Sequence, residues 1–503
     1  VYRRVVGTHP KGAEPDSVGR VSSRLSEVRP MNFVQYQFAI LLACVLLTYW
    51  VVREVRWQNI VLIVASAIFY GWNVPWWLLL LYAATSVDFV MAQLMHRSPA
   101  HKRWWLALSL TTNLSILFYF KYFNFFLGNV YGALNLLGAD RAAPVLAIIL
   151  PAGLSFYTFQ TISYSVDVYR GTIRPRTSIL NYIAYVSFFP QLVAGPIERA
   201  TDLLPQIERY RPFVLANLHL GFSLTMWGLF KKVVLADSIA PYVDKIFVLD
   251  DVQGPLMYLA TVGFMAQLYI DFSAYTDIAR GVSRMMGIQL VHNFNEPYLA
   301  ATVVEFWQRW HISLSTWIRD YLLTPMLARM GTVDVWRMGA ASVVTMVIMG
   351  FWHGASWNFV LTGLFQGLCI GATQAFQYLA PAAAVNLRGG RILAYLFNWT
   401  FVMPFSALMF REHDLTRIVH ALRSNPFVAS EMQWRAAITV AAMALVFGFT
   451  PVLAEFVGRR WILPRLEGKP WALLVESVVW SLMAMAIVLF YRTSATDFVY
   501  FQF

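Results

Sequence analysis

"VVTMVIMGFWHGASWNFVLTGLFQGLCI", residues 343–370, consists of two apolar runs with a single histidine, His353, between them. The runs at 343–352 and 359–370 both have the character of membrane interior, so the chain has placed an ionisable ring where ionisable groups are costly. Gly350 and Gly354 remove side chains beside that ring and let another backbone or a ligand come close. Trp352 and Trp357 supply bulky walls, while Ser356 and Asn358 carry atoms able to orient the ring by hydrogen bonding. An imidazole can take a proton near neutral pH, so His353 suits activation of a hydroxyl for attack on an activated acyl group. A histidine that caps a broken helix explains the same residues equally well at this point.

The rest of the composition places these runs in a bilayer. Residues AVILMFWYC form 58% of the 503 residues and charged residues only 13%, against about 25% charged in soluble domains. Mean hydropathy is +0.54. Candidate spans lie at 35–52, 59–73, 75–95, 104–120, 122–138, 144–166, 179–196, 213–236, 255–275, 338–352, 356–380, 392–410, 434–457 and 471–491, judged against the roughly 20 apolar residues a crossing needs. Some are short or polar, so about 10–12 true crossings with one or two re-entrant or interfacial helices are expected. The chain therefore reads as an all-α polytopic membrane protein.

The net charge of +12 sits mainly in connections between apolar runs, which is the distribution that orients a membrane protein rather than one that binds nucleic acid. Arg53 and Arg56, then Arg97, Lys102 and Arg103, put those two connections in the cytoplasm and Met31 outside. Residues 1–30 are polar and basic, and are expected to be an upstream extension or disordered tail, with residues 31–503 forming one transmembrane domain. Cys44 and Cys369 lie in apolar stretches and read as buried free thiols.

A second stretch carries chemistry: "NEPYLAATVVEFWQRWHISLSTWIRDYLLTP", residues 295–325. On one continuous helix Phe306, Trp310, Leu314, Trp317 and Tyr321 share a face, opposite Glu305, Gln308, Arg309, Thr316, Arg319 and Asp320. His311 falls at the border. Such a helix lines a polar cavity better than it faces lipid. Taken alone, His311 reads as a hydrogen-bonded core residue, Glu305 and Arg309 as an i,i+4 pair, and the tryptophans as packing. Phosphate-binding glycine loops, nucleophile elbows and zinc-protease motifs are absent, as are HxxxD and HxxxxD. The nine histidines show no metal-ligand spacing.

The two histidine stretches, with "FFPQLVAGPIER" at 188–199, "DFSAYTDIARGVSRMMG" at 271–287 and the terminal "DFVYFQF", resemble the membrane-bound O-acyltransferase family, in its bacterial alginate O-acetyltransferase-like branch. The resemblance covers 31–503. It implies a ring of tilted helices around a central tunnel, a coenzyme A thioester reaching the site from the cytoplasm, and an acceptor on the outer side. His353 matches that family's base and His311 its second active-site histidine. It further implies acetyl-CoA as donor substrate with no bound cofactor or metal, a location in the bacterial inner membrane, and a partnership with an extracytoplasmic serine acyltransferase that passes the group to an exported polysaccharide such as alginate. Teichoic acid, peptidoglycan or protein are alternative acceptors, and a transporter without acyl chemistry is the alternative from another class. One departure is the loop "MLARMGTVDVW", 326–336, where relatives carry a glycine-rich basic turn. The C-terminal "FVYFQF" reads as a packed chain end rather than an assembly element.

Overall fold

The computed structural model describes residues 31–492 except 140, 250, 251, 253, 333, 380–387, 426 and 467, together with 498 and 499. Residues 1–30 and most of the C-terminal motif lie outside it. The described residues form helices and connections, with no strand among them. Seven helices are long and apolar enough to cross a membrane: Trp76–Arg97, Gly254–Met285, Val335–His353, Trp357–Leu379, Gly389–Arg411, Glu431–Leu466 and Ala472–Phe490. Tyr36–Val51 and Val55–Gly71 are shorter apolar helices.

Polarity is arranged as a bilayer requires. Leu47, Val51, Leu79, Val488 and Leu489 point outward and are each more than 70% exposed, where hydrocarbon rather than water would meet them. Polar groups lie inside and bond one another. Asp88 accepts from Ser109 Oγ at 2.6 Å and from Asn113 Nδ2 at 2.8 Å, and Lys232 reaches Asp271 at 2.8 Å and Asp237 at 2.9 Å. Cys44 is exposed on the outer surface of its helix, contrary to the burial expected of it.

Four expected spans are drawn differently. The connection assumed near residue 121 does not exist: Lys102–Leu117, a wide π turn at Phe118–Tyr122 and Phe123–Leu136 form one continuous rod. Residues 141–152, with Pro144 and Pro151, are not helical, and the helix begins only at Leu154 after the left-handed Gly153. The run 179–196 breaks because Pro190 interrupts it: Ile179–Ser187, capped by Ser178, ends at Phe188, and a short turn Phe189–Leu192 leads into a buried loop at 193–199. Non-helical backbone at this depth must find partners inside the protein. Ala194 N–H donates to Tyr275 Oη at 3.3 Å, and Ile197 N–H to Ser313 Oγ at 3.0 Å.

Residues of the basic connections and their neighbours are tied to other segments of the chain. Lys102 lies over Tyr169, its neighbour Arg170 donates to Asp320 O, and Gln58 donates to Arg211 O at 2.9 Å. At the C-terminal end of the chain Val499 N–H donates to Asp271 at 2.6 Å, and Phe498 lies under the Lys232 ammonium at 4.5 Å. This part of the terminal motif is packed into the core, as expected.

Val335–His353 and Trp357–Leu379 form an antiparallel hairpin with a seam of small residues. A Cβ at Gly350 would stand 3.0 Å from Gly363 Cα, and one at Gly363 would meet Met346 O and, at 3.0 Å, Val347 Cα. Such seams let membrane helices touch backbone to backbone. Gly363→Ala is therefore expected to lower the melting midpoint of the protein in detergent, whereas Gly128→Ala, with nothing within 4 Å of the added Cβ, should leave it unchanged or raise it.

Candidate active site

The second motif does not form one helix. Thr302 caps Val303–Arg309 by accepting from Glu305 N–H at 3.2 Å. The chain then turns at His311, which has φ 43 and ψ 53, and restarts as Ile312–Ile318. A left-handed histidine costs on the order of 1–3 kcal/mol and persists only where its surroundings hold it. Here they do: Ile312 N–H donates to Asn293 O and Asn295 N–H to Arg309 O, both at 2.9 Å. Segments 293–295 and 309–312 thus satisfy each other's backbone across the break.

The break separates the expected faces. Phe306, Trp307 and Trp310 line a cavity, whereas Leu314 and Trp317 are buried in the core beyond it. Glu305 accepts from Ala301 N–H at 2.9 Å and meets Arg391 at 3.3 Å, while Arg309 donates to Asn295 O, so the expected i,i+4 pair is replaced. Asp320 pairs with Arg199 at 3.2 Å and with Arg319 at 2.7 Å.

The structure brings the two motif histidines together. His311 and His353, 42 positions apart, line one cavity of about 120 Å³, whose other walls include Met349, Phe272, Phe359 and Phe410. His311 is 1% exposed; its Nδ1 faces Asn293 Oδ1 at 3.3 Å and its ring meets the edge of Phe272 at 4.8 Å. His353 is half-buried at the end of its helix, against Trp352 at 4.8 Å and Phe410 at 5.3 Å. A column of rings joins the two elements. Trp317 stacks on Phe159 at 4.1 Å, Phe159 stacks on Trp352 at 5.0 Å, and Trp317 Nε1–H donates to Phe159 O at 2.9 Å. These flat contacts fix the spacing between the helix after His311 and the helix carrying His353.

Polar space lies on either side. A cavity of about 580 Å³ contains Lys231, Asp277, Arg280 and His292 and shares Tyr298 with the histidine cavity. Lys231 pairs with Asp277 at 2.6 Å. Arg280 lies near the end of Gly254–Met285, where Tyr49 Oη donates to Met286 O at 3.1 Å, on the Arg53 side of the molecule. Another cavity, about 410 Å³, is lined by Asn124, Asn129, Ser356, Asn358 and His413. Asn129 is 27 positions along the rod from Lys102, roughly 40 Å at 1.5 Å per residue, so this cavity opens at the opposite end. Ser356 and Asn358 bond each other here. Asn358 also donates to Met409 O at 3.0 Å and faces His413 Nδ1 at 3.4 Å. They shape this second cavity. Trp357 likewise is 54% exposed and donates to Asn129. The space freed at Gly350 and Gly354 is filled by Gly363 and by Phe359.

A polytopic helical membrane protein with two histidines in an internal cavity is the class so defined. The sequence profile of the membrane-bound O-acyltransferase family matches residues 172–411. The chain is 33% identical over 448 residues to the "Probable alginate O-acetylase" of Azotobacter vinelandii, covering 88% of this chain and 87% of that one. It is 35% identical over 361 residues to the protein of the same description from Pseudomonas aeruginosa, covering 71% and 68%. It is 34% identical over 395 residues to the "Peptidoglycan O-acetyltransferase" of Helicobacter pylori, covering 72% of each. The chain belongs to the membrane-bound O-acyltransferase family, and is an O-acyltransferase.

Residues missed from sequence include Asn293, Gln366 and Lys121. Gln366 lines the cavity, accepting from Trp307 Nε1–H at 3.1 Å and donating to Ser406. Lys121 had a visible signal, a lone cation inside "FYFKYFNFF". Its Nζ donates to the backbone oxygen of His353 at 3.1 Å and lies 5.6 Å over the Trp352 ring. It therefore holds the last turn of the helix that carries His353, where a cation also complements the helix dipole. Lys121→Met removes a charge-assisted bond of roughly 1.5–3 kcal/mol. Its melting midpoint in detergent should fall below that of Lys121→Arg, which retains a donor.

Proposed function

We propose that this enzyme moves an acetyl group from acetyl-CoA on the cytoplasmic side toward hydroxyls of an exported polysaccharide, alginate or another exopolysaccharide, with His353 as general base and His311 as the second active-site histidine. The observation that carries the reading is the shared cavity: two imidazoles in mostly apolar walls, between polar spaces at opposite ends. The acceptor oxygen attacks the thioester carbonyl, His353 takes the hydroxyl proton, the C–O bond forms and the C–S bond breaks, and the thiolate leaves to be protonated as free thiol. In a site that excludes water these charges are stabilised by fixed groups rather than solvent. The cavity's modest volume, about 120 Å³, supports a short acyl group over a fatty chain. The relatives described as an alginate O-acetylase and a peptidoglycan O-acetyltransferase support an extracytoplasmic acceptor. An extracytoplasmic serine acyltransferase as intermediate carrier, the bacterial inner membrane as location, and 31–503 as a single transmembrane domain complete the proposal.

Proteoliposomes given acetyl-CoA should release free thiol and transfer labelled acetyl, with octanoyl-CoA a poor donor. His353→Ala should reduce kcat roughly 10²–10⁴-fold. Full turnover in that variant would remove His353 as base, and solute flux independent of any thioester would favour a transporter.

A further inference from the structure

The proton arrangement around Asn293 determines what His311 can do. Ser313 N–H points at one end of the Asn293 amide at 3.3 Å. A backbone N–H only donates, so that end is the oxygen, Oδ1. The other end, Nδ2, faces Thr276 Oγ1 at 3.4 Å. Ser313 Oγ lies 2.6 Å from the same Oδ1 and accepts from Ile197 N–H at 3.0 Å, which leaves its own proton for Asn293. His311 Nδ1 approaches this oxygen at 3.3 Å. Two acceptors cannot share a hydrogen bond, so Nδ1 can bond this oxygen only as N–H, as a third and longer partner beside the two donors of Ser313.

Resting on the acyl-transfer reading, we infer that Asn293 is a positioning residue which holds His311 in the Nδ1–H tautomer, leaving Nε2 as an unprotonated acceptor on the other edge of the ring. A neutral ring in this form has no second N–H and cannot stabilise a developing oxyanion, so that task falls to other groups. Asn293 is suited to the role because it is fixed at both ends. Its carbonyl oxygen receives Ile312 N–H at 2.9 Å, and its side chain spans from Thr276 on the long helix to Ser313 after the break. The charged and titratable groups around the pair are His353 in the shared cavity, and Lys231, Asp277, Arg280, His292, Glu296 and Glu455 in the polar cavity that Asn293 also lines.

The full chain, labelled with ¹⁵N-histidine in lipid bilayers and assigned by difference from His311→Gln, gives a readout independent of turnover. The His311 signals should show protonated Nδ1 and unprotonated Nε2, and Asn293→Ala should lose this pattern while Asn293→Asp, still an acceptor, keeps it. In acetyl transfer, Asn293→Ala should lower kcat roughly 10–100-fold with little change in KM for acetyl-CoA, while Ser313→Ala, which spares the Nδ1 contact, stays within about threefold. An Nε2–H tautomer in the unsubstituted protein overturns the inference, as does an equal kcat loss in Ser313→Ala with the tautomer intact in both variants. The expected tautomer in a protein that consumes no acetyl-CoA leaves this assignment standing and removes the acyl-transfer reading instead.

Discussion

A helix interrupted inside a bilayer has to hand its freed backbone groups to neighbours, because no water is there to take them. The break at Trp310–His311 meets this demand through the 293–295 segment, which takes Ile312 N–H and returns Asn295 N–H. Everything near the site depends on that exchange. It holds His311 in a conformation few histidines adopt, turns Phe306 and Trp310 toward the cavity, and leaves Trp317 free to stack on Phe159. A continuous helix over the same residues would carry His311 between an aromatic and a polar face, with no enclosed space before it.

The second histidine is held by different means. His353 ends a helix whose glycine seam fixes its distance from the neighbouring helix, while Lys121 holds its last carbonyl and Trp352 joins the ring column. One motif is thus positioned by a broken backbone and the other by close helix packing. The ring column couples them. Stacked rings resist compression more than flexible aliphatic chains do, so the separation of the two imidazoles is set by shape.

Much of this was legible in the residues, and the failures have physical causes. Hydropathy gave the membrane class because solvation by lipid acts on every outward residue, and the two histidines stood out because charge is rare in such runs. The break at His311 was invisible: "QRWHISLS" contains no glycine or proline, and the left-handed turn is imposed by Asn293 and Asn295 from another segment. Tertiary hydrogen bonding overrode local periodicity there. The continuous rod through Lys121 was missed for the opposite reason, since a lone cation resembles a connection until the carbonyl it serves is known. Ser356 and Asn358 stand close to His353 in sequence, and what the residues alone do not reveal is the second cavity they line with Asn129 and His413.

Charge placement sets the polarity around the site. Lys232 is matched by Asp237 and Asp271, and Lys231 by Asp277, so the buried cations beside the polar cavity are neutralised within their own cluster. The histidine cavity itself holds no fixed charge, only two imidazoles and amide or hydroxyl groups among rings and methionines. Charge that develops on a reacting carbonyl or a departing sulfur is then the strongest local field, and in surroundings of low polarity the nearest dipoles act on it with little competition from water. Under the proposed reaction, a donor on one polar side and an acceptor on the other would meet at this constriction, and only the acyl group would pass between them.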